Sequence, residues 1–244
     1  MIKIENIEVV GFESAIRGMR NPMNSWEKSD SVKCYTKNSW EKSDSVKCYT
    51  KANCPGICKN NVSGICIGNN DLSLMKSLVK AGTDHRKFMR MLTVYVDITA
   101  PLYWWKEFDT YKVGTVANSC STMHKIQSKT FTLEDFSCEH LIDTKPIENI
   151  IDALNIYRNV YNDYEDLSIR CKSQVSKKQI WWNMIQLLPS SYNQRRTVML
   201  NYEVLANIYK SRSTHKLDEW RTFCKWIENL PYGELITGKE DKTG

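Results

Sequence analysis

Asn201, Leu205, Ile208 and Arg212 recur at i, i+4, i+7 and i+11, the spacing of one helical face. On a helix turning about 100° per residue, Arg212 falls within roughly 20° of Asn201 and about 16 Å further along. The stripe opens on a carboxamide, continues apolar and closes on a guanidinium. Core burial alone does not select that order, because an unpaired buried charge costs several kcal/mol. Arg212 therefore either reaches solvent at the helix end or meets an anionic or hydrogen-bonding group, and spacing leaves both open.

The stretch around this stripe, Leu188 to Trp220, resembles the C-terminal signature of the flavin-dependent thymidylate synthase family. That signature has Leu-Pro followed by a helix reading Asn, Leu four residues on, and Arg eleven residues after the Asn. Leu188-Pro189, Asn201, Leu205 and Arg212 keep the register, Asn207 matches a second family Asn, and Leu217-Asp218-Glu219-Trp220-Arg221 faintly echoes the tail that follows. A second block is similar to the family's His-x-Ser-x-Leu-Glu-His and Arg-His-Arg-x-x-Ser-x-Asn-x-x-Ser-x-Arg-Tyr. His85 keeps the first His, and Asn118 and Ser121 match within an ungapped run from Tyr111 to His124. The family's Arg-His-Arg is replaced by Tyr111-Lys112-Val113, and its closing Arg-Tyr by Met123-His124. The two blocks together cover about half the chain.

The resemblance implies a flavin-dependent one-carbon transfer to a pyrimidine nucleotide, similar to thymidylate synthesis from dUMP. FAD would be the cofactor, and reduced nicotinamide and methylene-tetrahydrofolate the co-substrates. In such chemistry the flavin carries the difficult part while the protein orients and polarises. Arg212 is then the catalytic and substrate-binding residue, its fork set against the uracil N3–C2–O2 edge, which Lys cannot reproduce. Asn118 and Ser121 would bind substrate, and His85, Asn201 and Asn207 would bind flavin. Asn207 points about 120° away from the Asn201 face, so it would serve a neighbouring site in an oligomer, the family being tetrameric with sites at subunit junctions. Arg195 and Arg196 could replace the lost phosphate ligands. The alternative is a non-catalytic relative that uses the same pocket for a nucleotide or a protein partner, and the missing arginines favour it.

Each residue also has a plainer reading. Ser121 after Asn118 suits a turn or a helix cap, and His85 suits a cap or a buried position. Cys120 could be an activated thiol only beside a cation such as Lys112 or His124, and is otherwise inert. Cys54, Cys58 and Cys66, spaced C-x3-C-x7-C among nine cysteines, lack a fourth zinc ligand at a usual distance. Reduced thiols and no metal are expected.

The chain has 244 residues, 41% hydrophobic and 25% charged, with net charge +6. That composition fits a single folded domain over 1–244 and excludes disorder. The mild charge suits an anionic small molecule, and no long basic run calls for nucleic acid. No apolar run is long enough to span a bilayer and no signal peptide opens the chain, so a cytoplasmic location and no membrane partner are expected.

Positioning elements follow from periodicity. Residues 2–10 and 92–99 read as strands. Asp71 is a plausible N-cap for a helix with Leu72, Met75, Leu78 and Val79 on one stripe and Gly82 as its stop. Pro101 opens a helix whose Tyr103, Trp104 and Trp105 suit a core or subunit interface, or else a stacking shelf. Helices are expected over 146–161, 174–188, 198–211 and 217–230. The segment at 24–37 recurs unchanged at 38–51, a duplication too short for a solenoid, so 20–70 reads as a polar, loop-rich insertion. The class is α+β with a helical majority, and the resemblance implies a twisted, mainly antiparallel sheet beside a helical bundle.

Overall fold

A computed structural model describes residues 2–33, 65–165 and 175–239. Its strands are β1 (Lys3–Val10), β2 (Val32–Lys33), β3 (Ile65–Cys66), β4 (Thr93–Pro101), β5 (Val116–Ser119) and β6 (Asn193–Asn201). Its helices are α1 (Phe12–Arg20), α2 (Asn69–Ala81), α3 (Leu102–Phe108), α4 (Thr122–Lys125), α5 (Lys145–Asn162), α6 (Lys177–Leu187), α7 (Tyr202–Arg212), α8 (Asp218–Glu228) and α9 (Glu234–Thr237). Strands β1, β4, β6 and β5 form one sheet in that order. It is antiparallel, and the class is α+β with a helical majority, as expected. Strands β2 and β3 make a separate antiparallel pair. No described helix is long and apolar enough to cross a membrane.

The chain divides into two compact units. The first comprises Met1–Glu5, Asp97–Thr110 and Ala117–Thr197. Its α5 and α6 pack together because the Ile147, Ile151 and Leu154 stripe of one meets Met184 of the other, with Phe131 and Phe136 closing the cluster. Trp104 and Trp105 are buried at 0% and 1% exposure. Trp104 stacks on Phe108 at 5.1 Å, so these tryptophans are core and not a ligand shelf.

The second unit comprises Asn6–Val96, Tyr111–Val116 and Val198–Gly244. Phe12, Met75, Leu92, Tyr202, Leu205, Ile208, Trp220 and Phe223 are buried in it. Gly11 sits at φ 101, where an added Cβ would come within 2.0 Å of the Met91 carbonyl oxygen, so no other residue fits the turn into α1.

Three local expectations are corrected. Residues 198–201 belong to β6, not to the following helix. Val198 and Leu200 are buried while Thr197 is exposed, a period of two. Gly68, not Asp71, holds the N-cap position of α2. Asp71 lies in the first turn, where the Asn70 and Asp71 N–H groups are accepted by the Asp30 carboxylate at 2.9 and 3.1 Å, and its own carboxylate faces Arg20. Pro101 closes β4 and stands at the N-cap of α3, which ends at Phe108. Within 20–70, the described residues include 3-10 turns at Asn21–Met23 and Trp26–Lys28. The second repeat copy, Cys54 and Cys58 lie outside the described residues, while Cys66 is buried on β3.

Candidate functional site

Helix α7 starts where it does because Asn201 caps it. The Asn201 Oδ1 accepts the Val204 N–H at 3.0 Å, satisfying one of the backbone donors that every helix start leaves open. Its Nδ2 lies against Gly114, where an added Cβ would come within 2.9 Å. Gly114 has φ +77, so the bend after Tyr111 needs glycine both for its backbone and for the carboxamide above it. The eleven-residue interval to Arg212 holds, but Asn201 sits at the head of the helix and not on its face.

Arg212 is the last residue of α7, and its half-buried side chain is held by aromatic groups. Its Nε donates to the Tyr111 hydroxyl at 3.0 Å. The guanidinium lies 4.8 Å from the Trp220 ring centroid and 5.8 Å from that of Tyr111. Cations stack on aromatic faces through the ring quadrupole, most strongly on tryptophan. Of the two sequence readings, the solvated helix end is therefore the wrong one. Tyr111 and Trp220 were missed as site residues: Tyr111 read only as a lost arginine, and no local spacing links either ring to Arg212.

The other candidates fall elsewhere. His85 is exposed in the turn after α2, with its N–H on the Gly82 carbonyl at 3.0 Å. Asn207 is exposed on α7. Asn118 is exposed on β5, all of whose residues face solvent. Ser121 caps α4, its Oγ accepting the His124 N–H at 3.1 Å.

Ser121 also lines a cavity of about 480 Å³ in the first unit, with Thr122, Lys125, Ser128, Lys129 and Arg195. Lys129 is paired with Asp135 and Arg195 with Asp97 at 2.7 Å, whereas Lys125 has no ion pair among the described residues. Burial, with Asp135 nearby, pushes the Tyr192 phenol of this cavity above its ordinary value, so it remains a neutral hydroxyl donor at neutral pH. Hydroxyls around a cation are suited to an anionic oxygen group. The sequence did carry a signal for this wall: Ser121, Lys125 and Lys129 recur every four residues. Cys120 is exposed at the same wall.

Arg196 is spoken for as well. It pairs with Asp109 at 2.7 Å and stacks 4.2 Å from the Trp105 centroid, so neither arginine of the 195–196 pair stands in for the lost phosphate ligands without first giving up a carboxylate. Of the three residues expected to bind a flavin, the Asn201 oxygen is engaged by its own helix, while His85 and Asn207 are exposed.

The described residues form an α+β fold with an antiparallel sheet and the Arg212 guanidinium held by Tyr111 and Trp220 at the end of α7. No family model matches the chain and no curated protein matches it in sequence. Among solved structures it is similar to thymidylate synthase X (ThyX) from Helicobacter pylori, solved with FAD and dUMP. That likeness has TM-score 0.61 at 15% identity and covers 98% of each chain. A flavin-dependent thymidylate synthase ThyX from the same organism, complexed with FAD and dUMP, gives TM-score 0.58 at 15% identity, covering 96% of this chain and 99% of that one. The chain thus has the fold of these proteins along nearly its whole length.

Proposed function

We propose that this chain binds a pyrimidine nucleotide of the dUMP type. Arg212 takes the polar edge of the ring; in the first unit, the cavity lined by Ser121 and Lys125 suits an anionic oxygen group. Asn118 is the remaining substrate contact in this reading. The reaction is a one-carbon transfer to that nucleotide, resembling thymidylate synthesis. FAD is its cofactor, and reduced nicotinamide and methylene-tetrahydrofolate are its co-substrates. The observation that carries the reading is the Arg212 guanidinium held by the Trp220 ring and the Tyr111 hydroxyl. A guanidinium held this way loses less freedom on gripping a flat ligand than a mobile one. The neighbouring structures with FAD and dUMP support the choice of ligands.

A second reading, a non-catalytic relative that binds the nucleotide or a protein partner, is favoured by one specific observation. Arg195 and Arg196 are neutralised by Asp97 and Asp109, and Tyr111-Lys112-Val113 supplies no guanidinium where the resembled family has two.

Two measurements decide. Calorimetric titration of dUMP into the purified protein should show binding that Arg212→Lys weakens about tenfold or more, because lysine cannot form the forked contact. Absence of dUMP binding overturns the proposal. The absorption spectrum separates its two forms: an oxidised-flavin spectrum, native or after adding FAD, supports the transferase. Colourless protein that binds dUMP but takes up no FAD is the non-catalytic relative.

A further inference from the structure

Tyr111 stands where the resembled family begins its Arg-His-Arg run, and the fold brings it to Arg212 from 101 positions away in the chain. The two residues belong to the same compact unit, as does Trp220. Nε of Arg212 donates to the Tyr111 hydroxyl at 3.0 Å. The Tyr111 and Trp220 rings meet edge to face at 6.1 Å and 68°, with Trp220 fully buried and the guanidinium 4.8 Å from its centroid. His215 abuts the Trp220 ring at 6.3 Å, and its Nδ1 accepts the Leu217 N–H at 3.2 Å, which fixes the turn between α7 and α8.

These contacts constrain the guanidinium in two independent ways. The indole ring covers one side of the group but leaves it able to turn. The Tyr111 oxygen, accepting at Nε, removes that rotation. A guanidinium has one edge made of Nε and one Nη and another made of its two Nη atoms, so a partner at Nε determines where the second edge points.

We infer that Tyr111 is a positioning residue for Arg212, turning a position that in the resembled family supplies charge into one that aims a single guanidinium. It acts through Arg212 and not on the ligand. The consequence is specificity: an aimed planar fork selects the flat amide edge of a pyrimidine, whereas the sugar phosphate gains nothing from it. This inference rests on the pyrimidine-nucleotide reading for its ligand, but the orientation itself does not depend on that reading.

The test uses Tyr111→Phe, which keeps the ring packed on Trp220 and removes only the oxygen. In the full-length protein, the Arg212 Nε–H resonance is assigned by its loss in Arg212→Lys. Its exchange with solvent should accelerate about tenfold in Tyr111→Phe, the scale of one lost charge-assisted hydrogen bond. Binding of dUMP should weaken about tenfold, while binding of deoxyribose 5-phosphate stays unchanged. In an Arg212→Ala background, Tyr111→Phe should cost dUMP binding nothing further, because coupled residues are not additive. Unchanged Nε–H exchange overturns the inference. So does an equal loss of dUMP affinity with and without Arg212, which would make Tyr111 a direct contact or a purely structural one. If the unaltered protein binds no dUMP, the proposed function falls and the exchange measurement alone decides the role of Tyr111.

Discussion

A carboxamide can serve its own helix or a ligand, and at Asn201 the helix has taken the oxygen. The bond to the Val204 N–H is what an N-cap provides, and asparagine is among the best residues for it. Asn201→Ala should therefore cost about 1 kcal/mol of stability, measured by urea unfolding. Asn201→Asp, which keeps the accepting oxygen, should stay within a few tenths of the unaltered protein. A loss on Asn201→Asp as large as that on Asn201→Ala would mean that the Nδ2 group against Gly114, not the cap, holds the site together. The signal was legible: an asparagine ahead of an apolar helical run is a start signal. Reading the same asparagine as part of a helical stripe misplaced its environment while keeping its distance from Arg212. Arg212 is the reverse case. Its position at a helix end could be read, but its clasp is made by Tyr111 and Trp220, which tertiary folding alone brings to it.

At the scale of elements, α1, α2 and the segment at 29–31 are tied by one buried carboxylate. Asp71 is 0% exposed and Arg20 4% exposed, with Arg20 Nε donating to Asp71 at 2.6 Å. The Ser29 hydroxyl and the Asp30 and Ser31 N–H groups donate to its other oxygen. Burial by itself would raise the Asp71 pKa, but the hydrogen bonds from Ser31, Ser29 and Arg20 outweigh it and hold it below the ordinary carboxylate value. A folded pKa below the unfolded one gives stability that is full above the unfolded value and is lost as pH falls through the folded value. Unfolding free energy should accordingly drop as pH is lowered below about 4. Asp71→Asn should cost about 3–5 kcal/mol at neutral pH by leaving Arg20 buried without its counter-charge, and should flatten the acid limb of the profile. Urea midpoints at neutral and acid pH measure both effects, and an unchanged acid limb in Asp71→Asn would mean that other carboxylates carry the pH response.

The same elements show how far sequence pattern reaches. The helix around 71–81 and the strand at 92–99 appear within a few residues of their expected bounds, because apolar period and glycine stops are local signals. The identity of the α2 cap failed because the first-turn N–H groups of Asn70 and Asp71 are accepted by Asp30, about 40 residues earlier in the chain, a partner no local spacing announces. The end of β6, residues 198–201, was absorbed into the following helix because Val198 falls at i, i+4 and i+7 with Tyr202 and Leu205, and its sheet partners decided for the strand. Helix α1 went unread for a similar reason: its stripe of Phe12, Ala15, Ile16 and Met19 follows directly on a strand with no polar cap, Gly11 standing at the boundary.

For the whole molecule, the likeness of fold spans 98% of the chain, and a homotetramer is a proposal that comes from the family resemblance alone. Strands of the second unit leave Ile7 48%, Tyr95 42% and Val116 60% exposed. Single apolar side chains at a surface are ordinary, but β-strand positions carrying such residues suit burial against another copy better than contact with water. Light scattering on the purified protein should give four copies of the 28.4 kDa chain. The oligomer also supplies a test of how the nucleotide roles are shared. Arg212→Ala and Ser121→Ala each should weaken dUMP binding about tenfold or more alone. If sites are built at subunit junctions, unfolding the two variants together and refolding them as mixed oligomers should restore a fraction of sites that carry both intact residues. Recovery in the mixture, absent from either variant refolded by itself, would mean that Arg212 of one copy works with Ser121 of another. A monomer by light scattering, or a mixture as inert as its parents, would confine the nucleotide to groups within one chain and leave Asn207, exposed on α7, without a neighbouring site to serve.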